Sequence, residues 1–358
     1  MKRNRWNIEY RKWQRTTIAK RLKIKKDGSR RKAKPIVANE KRKRLYAPES
    51  LNIFNRFNRR ETVEFIEQIR NHSALGYAIL LDFTRVKTVY SCGTILLLAE
   101  IDRIQRILGE KADIKSTYPK DEIVEKSFQQ IGLLKLLNKA HRVSITEEDR
   151  NVFYWRYSTG SCVSPGTADE MLTGIKKELP VGYQKVVAGI EEAMTNSVHH
   201  AYILSRGDKL DTNFPNTPKR WWLFAQIMDK QLHIVICDLG IGIPETLPRV
   251  WKEQVGDLLT AGLNKKERNK LMLERSFVVG RTRTDQKHRG KGLKDIRKAA
   301  EQLGGQLRLH SDDVCASFDY RGTAPMISYN GFNQSIMGTV IQWSIPLKTG
   351  QDDGRKND

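Results

Sequence analysis

Glu192, Asn196 and His200 recur every four residues, in a stretch whose apolar positions Val187, Ile190, Met194, Val198 and Ala201 step by three or four. That spacing predicts a long helix over Gln184–Ile203, with an apolar stripe facing a core and the three polar side chains sharing another face. A carboxylate one helical turn from an amide suits the chemistry of a nucleoside triphosphate. The Asn196 amide oxygen can ligate Mg²⁺, which takes few protein ligands and completes its shell with phosphate oxygens and water. The Glu192 carboxylate can accept a proton from an attacking water or hydroxyl. Glu191 lies about a hundred degrees round the helix and is the weaker candidate base.

Two glycine blocks follow. Asp238-Leu-Gly240-Ile-Gly242-Ile-Pro244 comes directly after an apolar run. There Asp238 can accept a hydrogen bond from an adenine amino group, and Gly240 and Gly242 let the backbone approach a base or phosphate that a Cβ would hold off. Arg289-Gly290-Lys-Gly292-Leu293 opens a helix, so its free N–H groups and the positive end of the helix dipole are offered to phosphate. Thr339, after Gly338 and at the start of the last strand, is a fourth and weaker element. A turn or a polar helix face explains any one block alone; their joint order at strand and helix edges points to ATP and Mg²⁺.

The elements that must hold these residues alternate along the chain. A helical pattern begins near Ala47-Pro48. It is followed by a strand at Tyr77–Phe83, a helix at Gly93–Leu108, a short strand at Ala112–Ser116 and one or two helices in Glu122–Leu137. Strands alternating with helices predict a small α/β unit over residues 48–150. A second unit, 151–358, opens with irregular sequence and a helix at Met171–Glu178 ahead of the long helix. Strands at Trp221–Met228 and Leu232–Cys237 come next, joined by a tight Asp229-Lys230 turn. A basic helical stretch leads to Gly290, a helix starts at Leu293, and strands at Gly305–His310 and Thr339–Ile345 close an α/β sandwich.

Composition limits the alternatives. No apolar run approaches the ~18 residues that span a bilayer, and no apolar stretch follows the basic N-terminus as in a secretory signal. Cys92, Cys162, Cys237 and Cys315 have no paired ligand spacing, which suits a reducing cytoplasm and argues against a zinc site or a disulfide framework. The net charge is +23, and residues 1–45 carry 19 Lys or Arg against Glu9, Asp27 and Glu40. Residues 1–47 read as a basic, disordered tail. Its Trp6, Tyr10 and Trp13 could stack on bases, so nucleic acid is one partner for residues 1–45; a solvated arm is the other reading.

With these blocks in place, the second unit resembles the GHKL superfamily, which includes gyrase, histidine kinases and MutL. Its N box matches Glu192–Tyr202 and its two glycine boxes match Asp238–Pro244 and Arg289–Leu293. The resemblance implies a Bergerat-type α/β sandwich holding ATP under a lid. It also implies Glu192 as base, Asn196 as Mg²⁺ ligand, Asp238 as adenine reader, and a lid over Glu245–Arg289 whose Arg281, Arg283, Lys287 and Arg289 could contact phosphates; a solvated basic loop is the other reading of those cations. His72 and His141 lack the flanking residues of a phosphoacceptor histidine, and only a short polar stretch follows the final strand, so the histidine kinase and gyrase branches fit less well. The wording EAMTNSVHHAY is closest to anti-sigma-factor serine kinases. The first unit, through Leu81–Val86 and Ser91–Leu96, resembles the STAS domain of anti-sigma antagonists, with Ser91 at that family's phosphorylatable serine or serving as an N-cap. Tyr90 stands where the family carries an acidic residue. The resemblance therefore implies a regulatory ATPase whose lid closure controls an unidentified protein partner, a serine/threonine kinase acting on a STAS-like domain, or a nucleic-acid-associated ATPase. It also implies a homodimer.

Overall fold

Strand-forming and helix-forming stretches alternate as expected, and the computed structural model places them in a mixed α/β architecture. It describes residues 42–146, 152–154, 157–210, 219–253, 255–260, 262–278 and 292–347. The strands are β1 (Lys43–Tyr46), β2 (Ser50–Leu51), β3 (Ile79–Asp82), β4 (Thr88–Val89), β5 (Ile114–Ser116), β6 (Val152–Tyr154), β7 (Ser158–Gly160), β8 (Trp221–Met228), β9 (Gln231–Asp238), β10 (Gln306–Ser311), β11 (Val314–Asp319), β12 (Met326–Gly331) and β13 (Thr339–Pro346). The α-helices are α1 (Arg56–Ala74), α2 (Ser91–Leu108), α3 (Glu122–Ile131), α4 (Leu133–Leu136), α5 (Asp169–Glu178), α6 (Tyr183–Asn196), α7 (Ile243–Val250), α8 (Gly256–Thr260), α9 (Lys265–Ser276) and α10 (Leu293–Gln302).

In the first half, β1, β3 and β5 form a parallel sheet in that order. The strand β1 corrects the expected end of the basic tail, because pairing with β3 starts at Lys43. Within KRLY only Leu45 is buried, so the strand looks like more of the basic run. In the second half β12, β11, β10, β13, β9, β8 and β6 form a sheet in that order, antiparallel throughout, with β7 also paired to β8. The β8–β9 hairpin turns on Asp229 and Lys230, both at positive φ (52° and 57°), a two-residue turn whose twist matches its strands.

Alternation along each strand sends side chains to opposite faces of this sheet. One face receives α6 and α10: Trp343 Nε1 donates to Ile296 O at 2.8 Å, and Gly189 leaves room for the Trp343 ring. The other face receives α2, where Trp222 Nε1 donates to Asp102 Oδ2 at 2.9 Å. Every residue of α2 from Ser91 to Ile104 is buried, as expected of a helix covered on all sides. Buried apolar side chains from Leu45 through Ile345 pack into a single cluster, so the two halves share one apolar core. No described helix is long and apolar enough to cross a membrane.

The expected long helix is shorter than its apolar pattern. α6 ends at Asn196, and Ser197–Ala201 continues as a π-helical turn. Among the strands not anticipated are the short β2, β4, β6 and β7, and in the large sheet β11 and the largely exposed edge strand β12. In the segment expected to be a lid, α9 packs its buried Leu273 into the main core beside β11 and β12, and its Met272 against Leu247 and Val255. Its pattern is mostly charged, so burial on one narrow face was hidden.

Candidate functional site

Glu192, Asn196 and His200 reach a single cavity because α6 and its π turn carry them past the ends of β9 and β13. The cavity measures about 170 Å³, comparable with the ~150 Å³ that takes up a benzene ring. The α6 carboxylate and amide form one wall. Asp238 and Thr339, facing each other across β9 and β13, form the floor. Gly242 and α7 form a second wall, and Gly292 with Leu293 at the start of α10 closes a third.

Glu192 Oε1 accepts a hydrogen bond from Asn196 Nδ2 at 3.2 Å. A carboxylate can only accept, so this contact turns the amide nitrogen toward Glu192 and leaves Asn196 Oδ1 to meet a cation. The pair fits a Mg²⁺ that arrives with phosphate oxygens and water, a metal that needs no dedicated protein cage. Burial raises the Glu192 pKa, and nearby Asp295 adds to this against the Asn196 hydrogen bond. A carboxylate made more basic in this way is better suited to take up a proton. Burial, with His199 and Lys219 nearby, lowers the pKa of His200 and keeps its ring neutral.

Asp238 is 7% exposed at the end of β9. Its Oδ1 accepts from the Gly240 N–H at 3.0 Å, and the Ser197 hydroxyl lies 3.4 Å from Oδ2. The single Ser197 proton also serves Ala193 O, which is closer at 2.9 Å. A carboxylate has about four acceptor positions, so capacity remains for a donor on a ligand. Burial pushes the Asp238 pKa up to about 6, against the Gly240, Ser197 and Arg206 contributions.

The glycines serve different surfaces. Gly240 is not part of the cavity lining, and a Cβ there would overlap the carbonyl of Ala201, which is, and whose oxygen accepts from Ile241 N–H at 2.9 Å. This close approach clamps the strand end to the π turn. Gly242, at φ 81°, begins α7 next to Ser311 and Asp312. Gly292, at φ 61°, precedes α10 without a side-chain cap, leaving first-turn N–H groups for an anion. The Thr339 hydroxyl pairs with Ser311 Oγ at 3.0 Å.

The structure thus gathers Glu192, Asn196, Asp238, Gly242, Gly292, Leu293 and Thr339 around one space, with Gly240 behind its wall. Arg281, Arg283, Lys287, Arg289 and Gly290 lie outside the described residues. Ser91 is not the cap of its helix: Tyr90 holds that position, and Ser91 sits one residue inside α2 at 4% exposure. The sequence reading missed Ser197, Ser311, and the apolar wall of Leu247, Val250 and Trp251. The spacing of Ile243, Leu247 and Val250 was a usable helical signal, whereas Ser311 had none.

Among the described residues, no group of three or more His, Cys, Asp or Glu side chains could hold a metal ion. A scan against known protein families finds no match to this chain, and neither does a search of curated proteins.

Proposed function

We propose that the chain binds Mg-ATP in this cavity as a GHKL-type regulatory ATPase, with residues 43–150 forming a STAS-like unit and 151–358 the nucleotide-binding unit. The observation that carries the reading is the convergence of a carboxylate–amide pair, a buried aspartate with spare acceptor capacity and an uncapped helix start on one ring-sized space. Asp238 accepts the adenine amino group, and the Asn196 amide oxygen helps hold Mg²⁺. The metal supplies neutralisation of phosphate charge. Glu192 orients the attacking water and takes its proton on a carboxylate oxygen, while the N–H groups following Gly292 bind phosphate.

A kinase acting at Ser91 has less support, since transfer to a 4% exposed hydroxyl requires α2 to open first. Hydrolysis, or nucleotide-dependent switching toward a protein partner, needs no such step. The test is calorimetric titration with a non-hydrolysable ATP analogue, with and without Mg²⁺, alongside release of phosphate from ATP. Saturable, Mg²⁺-dependent binding with phosphate release is expected. The absence of binding would overturn the reading, and label transferred to Ser91 would replace it with the kinase.

A further inference from the structure

Arg59 lies in α1, in the first half of the chain, yet its guanidinium is fully buried against the second. Nη2 donates to Asp312 O at 3.0 Å and to Gln334 O at 3.4 Å, and Nη1 lies 3.1 Å from His310 Nδ1. The group also stacks over the Phe332 ring at 4.1 Å. Arginine can only donate, so His310 Nδ1 is the acceptor and the ring is neutral. Burial lowers the pKa of Arg59 to about 10, which still leaves it charged at neutral pH. Its direct partners are carbonyls and an imidazole, and such a buried cation is costly unless its hydrogen bonds are kept.

The turn that Arg59 grips supports the cavity. Asp312 N–H donates to Gly338 O at 3.0 Å, one residue before Thr339. Ser311 Oγ accepts from Ile243 N–H at 2.8 Å and pairs with Thr339 Oγ1. A Cβ on Gly242 would lie 3.2 Å from both Ser311 Oγ and Asp312 Cβ. Each contact places the turn directly behind a cavity wall, and packed walls of this kind pass on small shifts because interiors have little slack.

We infer that Arg59 is a positioning residue of the nucleotide cavity, holding the Ser311–Asp312 turn on which Gly242 and Thr339 are set. The inference rests on the Mg-ATP reading above and extends it: the first half of the chain takes part in shaping the site from behind the sheet. Glu192 and Asn196 are carried by α6, away from this turn, so Arg59 affects binding more than the chemical step.

The experiment compares wild type, Arg59→Met and Arg59→Lys in the full chain by amide hydrogen exchange, by titration with the ATP analogue and by phosphate release from ATP. In Arg59→Met, exchange is expected to quicken at Ile243 and Asp312 while the β8–β9 hairpin amides keep their protection. Affinity is expected to fall about tenfold, a 1.4 kcal/mol change, with kcat retained at saturation and Arg59→Lys recovering part of the loss. Unchanged exchange at Ile243 and Asp312, or quickening that is uniform across the chain, would overturn the inference. If Arg59→Met does not fold, the same pattern in milder form in Arg59→Lys decides the matter. If wild type itself binds no nucleotide, the Mg-ATP reading fails, while the exchange pattern still judges the role of Arg59 in the turn.

Discussion

Glu100 on α2 and Asp238 at the end of β9 are both hidden from water, at 0% and 7% exposure, yet they are driven in opposite directions. Burial alone would raise both. At Glu100 it is overcome by Arg206, Arg70 and Arg103, with contacts of 2.7, 3.2 and 3.1 Å, and the carboxyl is held down to about 2. Asp238 has only backbone and hydroxyl donors, from Gly240, Ser197 and Thr339, with a weaker charge contribution from Arg206, and it is pushed up to about 6. Glu192 follows Asp238. The arginine-rich cluster compensates its carboxylate fully and joins α2 to the segment after the π turn. Among the described residues no arginine or lysine pairs directly with the cavity carboxylates, and their raised pKa values are of the kind found where groups meet a ligand.

The strongest challenge to this contrast comes from Glu192→Gln. Loss of a general base is expected to reduce kcat by about 10²–10⁴ while Mg-ATP affinity persists. Full turnover would show that the uncompensated carboxylate is idle and that the base lies elsewhere.

Glu100→Gln tests the compensated side and is expected to cost about 3–5 kcal/mol in denaturant unfolding, since three buried arginines lose their shared charge. The Glu100 pKa is lowered on folding, so its stabilisation is fully present above the usual value of 4.5 and is lost as pH falls through about 2. The gap between mutant and wild type should therefore narrow over that acid range. A gap that does not change with pH would mean the cluster acts through packing alone.

A smaller effect of opposite sign is expected from Asp238→Asn. The Asp238 pKa is raised on folding, so its favourable contribution is present below the usual 3.8 and is lost as pH rises through about 6. At pH 8 the ionised side chain then opposes folding, and the mutant should gain on the order of 1 kcal/mol in stability while binding ATP more weakly. In wild type, affinity should decline as pH drops through about 6, because the protonated carboxyl is a poorer acceptor for the adenine amino group; in the mutant this dependence should vanish. A mutant destabilised equally at pH 4 and pH 8 would place Asp238 with the structural carboxylates.

Several features were legible because they are local. Four-residue spacing puts Glu192, Asn196 and His200 on one helical face regardless of what surrounds it, and Gly242 and Gly292 occupy turns whose positive φ favours glycine. The β8 and β9 strands declare themselves by dense apolar sequence on both sides of a two-residue turn. The elements that escaped notice are fixed by what they pair with or pack against. The strand β1 is defined only by its pairing with β3, and β12 by its pairing with β11. The π turn at Ser197–Ala201 breaks a pattern that reads as continuous helix, and Gly240 and Ala201 meet there across nearly forty residues of chain.

The amino-acid sequence by itself determined which side chains could do chemistry and the helix or strand end that presents each, because backbone periodicity and glycine's freedom act within a few residues. Tertiary structure alone decided that α2 covers the back of the sheet, that Arg59 and Arg206 reach across the halves, and which buried carboxylates are compensated by arginines. Those outcomes depend on burial and charge at close range between residues separated by up to 275 positions, a separation on which local pattern carries no information.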